Sequence, residues 1–129
     1  MMLQTGIKGK SEMIVSDSNT AKAMQSGNLS VFATPAVIAL MEKTAFESVS
    51  DYLEDGCVTV GTLVHAEHLA ATPVGMKVYC ESELVEIEGR KLVFELSVYD
   101  DKELIAKGRH ERFIVRKDRF MEKVLGKNS

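Results

Sequence analysis

Cysteine is scarce in this chain, long apolar runs are missing, and basic charge is not in surplus. Each shortage closes off a class of function. Cys57 and Cys80 are the only cysteines in 129 residues. They show neither paired metal-ligand spacing nor the density of a disulfide scaffold, so both are expected as reduced thiols in a cytoplasmic protein. The longest apolar run, around Val31 to Met41, is far short of the roughly 20 residues a membrane span needs. Met1-Met2-Leu3-Gln4-Thr5 lacks the basic-then-apolar order of a signal peptide. A net charge of −3 builds no field for nucleic acid, so neither nucleic acid nor membrane is expected as a partner. No phosphate-binding glycine loop, nucleophile elbow or dinucleotide fingerprint is present. His65, His68 and His110 are not at metal-ligand spacing, so no metal or other cofactor is expected.

What is present is ordinary globular material, 45% hydrophobic and 27% charged, enough for a single domain over residues 1–129 rather than two. Residues 6–15 alternate, with Lys8, Lys10 and Glu12 on one face and Gly9, Ser11, Met13 and Val15 on the other, the pattern of a strand. Residues 16–30 read as a loop with one short helical turn around Ala21 to Gln25. Thr34-Pro35 opens a helix, with Thr34 as N-cap and Pro35 at the first helical position, running to about Leu53. Its first turns, Ala36 to Met41, are apolar on every side and are expected to be enclosed.

Four strand-like stretches follow, 57–69, 75–87, 90–99 and 103–116, separated by short turns, and a tail over Asp118 to Leu125 is amphipathic. Strands of about 12 residues reach about 40 Å, and a helix of about 20 residues spans about 30 Å. Long strands around a shorter buried helix, in the order β-α-β-β-β-β, give an α+β hot-dog fold, a curved antiparallel sheet wrapped around one central helix. Such a domain leaves an apolar face over, which points to a homodimer or a tetramer.

Glu42 is the first candidate site residue. Its neighbours three and four positions away, Ile38, Ala39, Ala45 and Phe46, are all apolar. A carboxylate in such a stripe is either a general base or nucleophile in a cleft, or it meets solvent or an arginine. Thr34, eight residues earlier, stands at the positive end of the helix, where free N–H groups stabilise an oxyanion; as a bland alternative it only caps. His68 ends the second strand, on the alternating face of Val58, Val60, Thr62, Val64 and Ala66, and its bland reading is a hydrogen-bonded core histidine. His65 and Glu67 fall opposite. His110, among Arg109, Glu111 and Arg112, reads as part of an exposed charge ladder. Gly61 interrupts a strand without a turn, the mark of a bulge or of close backbone approach.

Val31-Phe32-Ala33-Thr34 leading to Leu40-Met41-Glu42, then Gly61-Thr62, His68-Leu69-Ala70-Ala71-Thr72-Pro73-Val74-Gly75 and Gly108-Arg109-His110-Glu111-Arg112, together resemble the hot-dog thioesterases related to fluoroacetyl-CoA thioesterase. The resemblance covers roughly residues 6–120. It implies a catalytic Thr, Glu and His at Thr34, Glu42 and His68, a strand glycine at Gly61 that presents its backbone to the bound thioester, and a dimer whose sites draw on both subunits. It is weakest just before Val31, where the family's aromatic residue over the acyl pocket is replaced by Gly27-Asn28-Leu29-Ser30, so a different acyl group is expected.

The expected function is hydrolysis of a short- or medium-chain acyl-CoA to free acid and CoA. Glu42 activates water or attacks the carbonyl, and His68 orients a group or shuttles a proton. The alternatives are a non-enzymatic acyl-CoA-binding hot-dog module and a hot-dog enoyl-CoA hydratase. The hydratase needs an Asp and a His close together on a hydratase-type segment, and none is seen.

Overall fold

A computed structural model describes residues 2–128. The chain runs β1 (Lys8–Ile14), α1 (Thr34–Val49), β2 (Cys57–His68), β3 (Lys77–Glu88), β4 (Lys91–Tyr99), β5 (Leu104–Arg116) and α2 (Lys117–Leu125). The strands form one antiparallel sheet in the order β1-β3-β4-β5-β2. β3, β4 and β5 are neighbours because short turns join them. β1 and β2, which flank α1 in sequence, take opposite edges, and α1 touches every strand as the sheet curls around it. This is the hot-dog arrangement expected from the pattern of elements.

The inner side of α1 carries Val37, Leu40, Met41, Ala45 and Val49. They pack with Val78, Cys80 and Leu84 of β3, Leu92, Phe94, Leu96 and Val98 of β4, and Ile105 and Ala106 of β5. The alternation expected at Leu92, Phe94, Leu96 and Val98 therefore faces the core. Close packing at the other end of α1 depends on Gly9, where an added Cβ would stand 2.7 Å from the Ser48 Cβ and 3.0 Å from the Thr44 carbonyl. Both cysteines are free thiols. The buried Cys80 thiol is pushed up to about 11, chiefly by burial.

Three expectations need correction. The first turns of α1 are not enclosed: Thr34, Pro35 and Ala39 are exposed and Ile38 and Glu42 half-buried, because one sheet covers only one side of a helix. Thr34 is not the N-cap, since the Ala33 carbonyl accepts from the Val37 N–H at 3.0 Å and Ala33 holds extended dihedrals. In the 16–30 loop the helical turn is a 3₁₀ turn at Asp17–Asn19, and residues 21–25 form plain turns.

A turn outside the sheet holds the site segments in place. Asp100, after β4, accepts from the Thr72 hydroxyl at 2.8 Å and from the N–H groups of Lys102 at 2.8 Å and Glu103 at 3.0 Å. The Thr72 carbonyl in turn accepts from the Phe32 N–H at 2.9 Å, which ties the 69–73 block to the entry of α1. Burial pushes the Asp100 carboxyl up, but the bonds from Lys102, Thr72 and Glu103 outweigh it and hold it below the ordinary carboxylate value.

A carboxylate depressed in the folded state contributes stability that is present above its unfolded pKa, about 3.9, and is lost as pH falls through its folded value. Thr72→Val is expected to lower the unfolding free energy by about 1–3 kcal/mol in a urea titration at neutral pH. Asp100→Asn is expected to flatten the fall of Tm with acidification. An acid profile identical to that of the unmodified chain would show that Asp100 is not held in this way.

Candidate active site

Two clusters of polar groups stand on the outward side of α1, along the helical series Thr34, Ile38, Glu42 and Phe46. In the first, Thr34 in the opening turn meets His68 at the end of β2, with Thr34 Oγ1 and His68 Nδ1 at 2.8 Å. The chain brings them together by tying their segments to each other: Val31 bridges Pro73, and the Leu69 N–H donates to the Ile105 carbonyl at 2.7 Å. A cleft of about 290 Å³ opens there, lined by Phe32, Thr34, His68 and Ala70 among others.

Burial lowers the His68 pKa below its usual value, against a smaller opposing pull from the backbone of Ala70. The imidazole is therefore neutral near pH 7, as a base must be to receive a hydroxyl proton. Its Nε2 is buried and has no hydrogen-bond partner among the described residues. No side chain caps the first turn of α1, so its positive end also lies at this pair.

The second cluster centres on Glu42, about 12 Å further along the helix by its rise per residue. Glu42 Oε2 lies 3.8 Å from Nη1 of Arg112, whose side chain is 8% exposed against 42% for Glu42. Each nitrogen of the guanidinium also makes a hydrogen bond. Arg112 Nε donates to Thr59 Oγ1 at 2.8 Å, Nη2 to the Thr59 carbonyl at 2.9 Å, and Nη1 to His110 Nε2 at 3.1 Å. His110 Nδ1 donates to the Leu63 carbonyl at 2.8 Å. With Nδ1 donating and Nε2 accepting, His110 is the neutral tautomer. Burial lowers its pKa, the Leu63 carbonyl opposes this, the Arg112 charge adds to it, and Glu42 opposes it again.

Gly61 completes this cluster. A Cβ there would stand 3.0 Å from Glu42 Oε2, 3.2 Å from His110 Cε1 and 3.3 Å from Arg112 Nη1. Both features expected at Gly61 are present, since β2 also bulges between Gly61 and Leu63. The bulge corrects the expected facing of β2. Thr62 is the extra residue. Beyond it Val64, Ala66 and His68 face α1, and before it Cys57, Thr59 and Gly61 do so, rather than Val58, Val60 and Thr62.

The four leading candidates thus fall into two groups, Thr34 with His68 and Glu42 with Gly61. His65 is exposed on the opposite face, as expected. His110 is the clear correction: it is fully buried, and the exposed ion pairs belong to Arg109, Glu111 and Lys91 instead. The signal was available in the strand period, because His110 and Arg112 share parity with the core residue Ala106 while Lys107, Arg109 and Glu111 alternate with them. Among the described residues, no group of three His, Cys, Asp or Glu side chains is placed to hold a metal ion, and no helix is long and apolar enough to cross a membrane.

The difference between the histidines is measurable. His110→Ala is expected to cost about 3 kcal/mol in chemical denaturation, from a lost buried ring and two unpaired partners. His65→Ala is expected to cost under about 0.5 kcal/mol. His68 and His110, held neutral by burial, contribute stability that is present above the ordinary histidine value of about 6.5 and is lost as pH falls below it. NMR titration is expected to place both midpoints below that value; a midpoint above it for His110 would mean that the ring is not enclosed.

Comparison with known proteins bears on the whole of this arrangement. The family described as fluoroacetyl-CoA-specific thioesterase matches residues 15–118. The fluoroacetyl-CoA thioesterase of Streptantibioticus cattleyicolor is 38% identical over 94 residues, covering 73% of this chain and 68% of that protein. A solved structure of the fluoroacetyl-CoA thioesterase superposes with a TM-score of 0.89 at 31% identity, covering 97% of each chain. A Thermus thermophilus protein described as a thioesterase superfamily member superposes with a TM-score of 0.87 at 26% identity, covering 97% of this chain and 94% of that one.

Proposed function

The chain belongs to the fluoroacetyl-CoA-specific thioesterase family, and from that premise we propose that it hydrolyses a short- or medium-chain acyl-CoA at a site completed between two copies of itself. It is a thioester hydrolase with a CoA thioester as substrate. The observation that carries the finer reading is the Thr34–His68 pair at 2.8 Å on the same open side of α1 as Glu42 over Gly61.

Water adds to the thioester carbonyl and loses its proton to Glu42, or Glu42 attacks first and the resulting anhydride is hydrolysed. In both routes the C–S bond breaks, and the departing thiolate takes up a proton to leave as CoA. Neutral His68 relays a proton through the Thr34 hydroxyl. The N–H groups at the start of α1 or at the β2 bulge steady the carbonyl oxygen as it gains charge. Arg112 pairs with the Glu42 carboxylate and keeps it in place.

Glu42 stands about two helical turns from Thr34 and His68, too far for all three to act on one carbonyl within a single chain. A second copy resolves this by bringing its Glu42 opposite the first copy's Thr34–His68 pair. The free edge of β2, with Val58 and Leu63 exposed, and the open stripe of α1 offer the surface for it.

Free-thiol release over an acyl-CoA panel tests the reaction. Glu42→Ala is expected to abolish turnover and to lower stability by no more than about 1 kcal/mol, since the carboxylate is half exposed. His68→Ala is expected to cut kcat by about 10² or more, the scale of general acid–base catalysis, and His65→Ala to change it little. Equal losses in the two histidine variants would place the chemistry elsewhere. Sedimentation is expected to show a dimer at micromolar concentration, and a stable, fully active monomer would overturn the shared site. A single turnover in heavy-oxygen water separates general-base catalysis from an anhydride opened at the Glu42 carbonyl, because the label enters the product acid in the first and the Glu42 carboxylate in the second.

A further inference from the structure

Glu42 Oε2, His110 Cε1 and Arg112 Nη1 converge on one point, standing 3.0, 3.2 and 3.3 Å from where a Cβ on Gly61 would lie. The chemistry above uses the carboxylate and its arginine and gives the histidine nothing to do. The His110 ring is fully buried, so it touches no substrate. It is held by the Leu63 carbonyl at 2.8 Å on Nδ1, by Arg112 Nη1 at 3.1 Å on Nε2, and by the Phe94 ring of β4 at 6.3 Å between centres. Arg112 Nη1 is thus shared between two groups, and its distance to Glu42, 3.8 Å, is longer than a hydrogen bond.

We propose that His110 is a positioning residue for Glu42: by accepting an N–H of Arg112 Nη1 it holds the arginine back from a shorter, hydrogen-bonded pair with the carboxylate, which stays free for the thioester or its attacking water. The proposal rests on the reading that Glu42 acts on the thioester.

An arginine and a carboxylate this close otherwise draw together into a short, charge-assisted contact. Two anchors prevent it. Thr59 of β2 fixes the guanidinium through Nε at 2.8 Å and Nη2 at 2.9 Å, and His110 fixes Nη1. Turning the guanidinium toward α1 would strand these buried partners, and that cost opposes the pull of the carboxylate. Only a neutral ring with its proton on Nδ1 can serve as the acceptor. The Leu63 carbonyl at the β2 bulge fixes that proton. Burial first, and then the Arg112 charge, keep a second proton off the ring, against the Leu63 carbonyl and Glu42.

Two substitutions separate the two ends of the ring. His110→Gln puts an amide oxygen near the place of Nε2, where it accepts from Arg112, and gives up the bond to Leu63. His110→Asn puts an amide near the place of Nδ1, keeps the bond to Leu63, and leaves Nη1 without its acceptor. Both are read as kcat and KM for acyl-CoA hydrolysis per folded molecule. His110→Asn is expected to lower kcat by about 10- to 100-fold with KM changed by less than about twofold, as for a reacting group displaced by about 1 Å. His110→Gln is expected to keep kcat within about threefold of the unmodified chain. In an Arg112→Lys background, His110→Asn is expected to cost less than about twofold more, since the nitrogen it releases is already gone. A further measurement needs no variant: nitrogen-15 NMR of the unmodified chain is expected to show the His110 proton on Nδ1 and none on Nε2. Equal losses in the two variants, or the reverse order, would tie His110 to the bulge alone and overturn the positioning role. Full additivity with Arg112→Lys, or a proton on Nε2, would overturn it as well. Turnover that survives Glu42→Ala is a separate failure: it removes the reading of Glu42 on which the positioning role rests, whatever the His110 variants do.

Discussion

One extra residue in β2 sets which side chains face α1. Between Gly61 and Leu63 the strand carries Thr62 with no counterpart in the register of β5, so the inward face changes parity at that point. Without the bulge, either His68 or Thr59 would point away from the helix, since residues nine apart, an odd number, cannot share one face of an unbroken strand. With it, one strand supplies His68 to one cluster and Thr59 and Gly61 to the other. The kink is held from behind by His110, whose ring N–H donates to the Leu63 carbonyl, and His110 is held by Arg112. The polar groups under Glu42 therefore maintain the backbone geometry that the upper cluster also needs.

The buried Arg112 is tolerable for the same reason. A cation this enclosed is costly unless its donors are satisfied. Thr59 meets two of them, neutral His110 a third, and Glu42 supplies the opposite charge from the open side. Burial works against the charge of Arg112, and the Glu42 carboxylate supports it. This also explains why a carboxylate stands in an otherwise apolar stripe of α1: its partner comes from β5 across the sheet rather than from the helix. Gly61 leaves room for the pair, because any side chain there would enter the space the carboxylate occupies.

The other cluster depends on loops rather than on the sheet. Thr34 and His68 belong to segments separated by 34 residues, and what aligns them is the set of backbone bonds joining residues 31–33 to the 69–73 block and that block to β5 and the Asp100 turn. Asp100 contributes no group to the site, yet it anchors Thr72, and Thr72 anchors Phe32. The pair thus sits at the junction of three loops on a rigid frame, with the start of α1 as the fixed element.

The sequence by itself determined the elements and the half of the candidate site that depends on local pattern. Alternation in β4, the Thr34-Pro35 helix start and the short turns among β3, β4 and β5 follow from steric and hydrogen-bonding rules acting over a few residues, and they were legible for that reason. The isolated carboxylate at Glu42 and the unexplained glycine at Gly61 were legible as anomalies in those same patterns. Only the tertiary structure decided where Thr62 would be extruded, which turned half of β2 over, and whether His110 would lie inside or outside. A bulge is chosen by the fit of two strands far apart in sequence, and the cost of burying His110 and Arg112 is offset by Leu63, Thr59 and Glu42, which no local window contains. The open side of α1 was hidden for the matching reason: an apolar helix states that it needs cover, while the number of its sides that one sheet can cover is a property of the sheet.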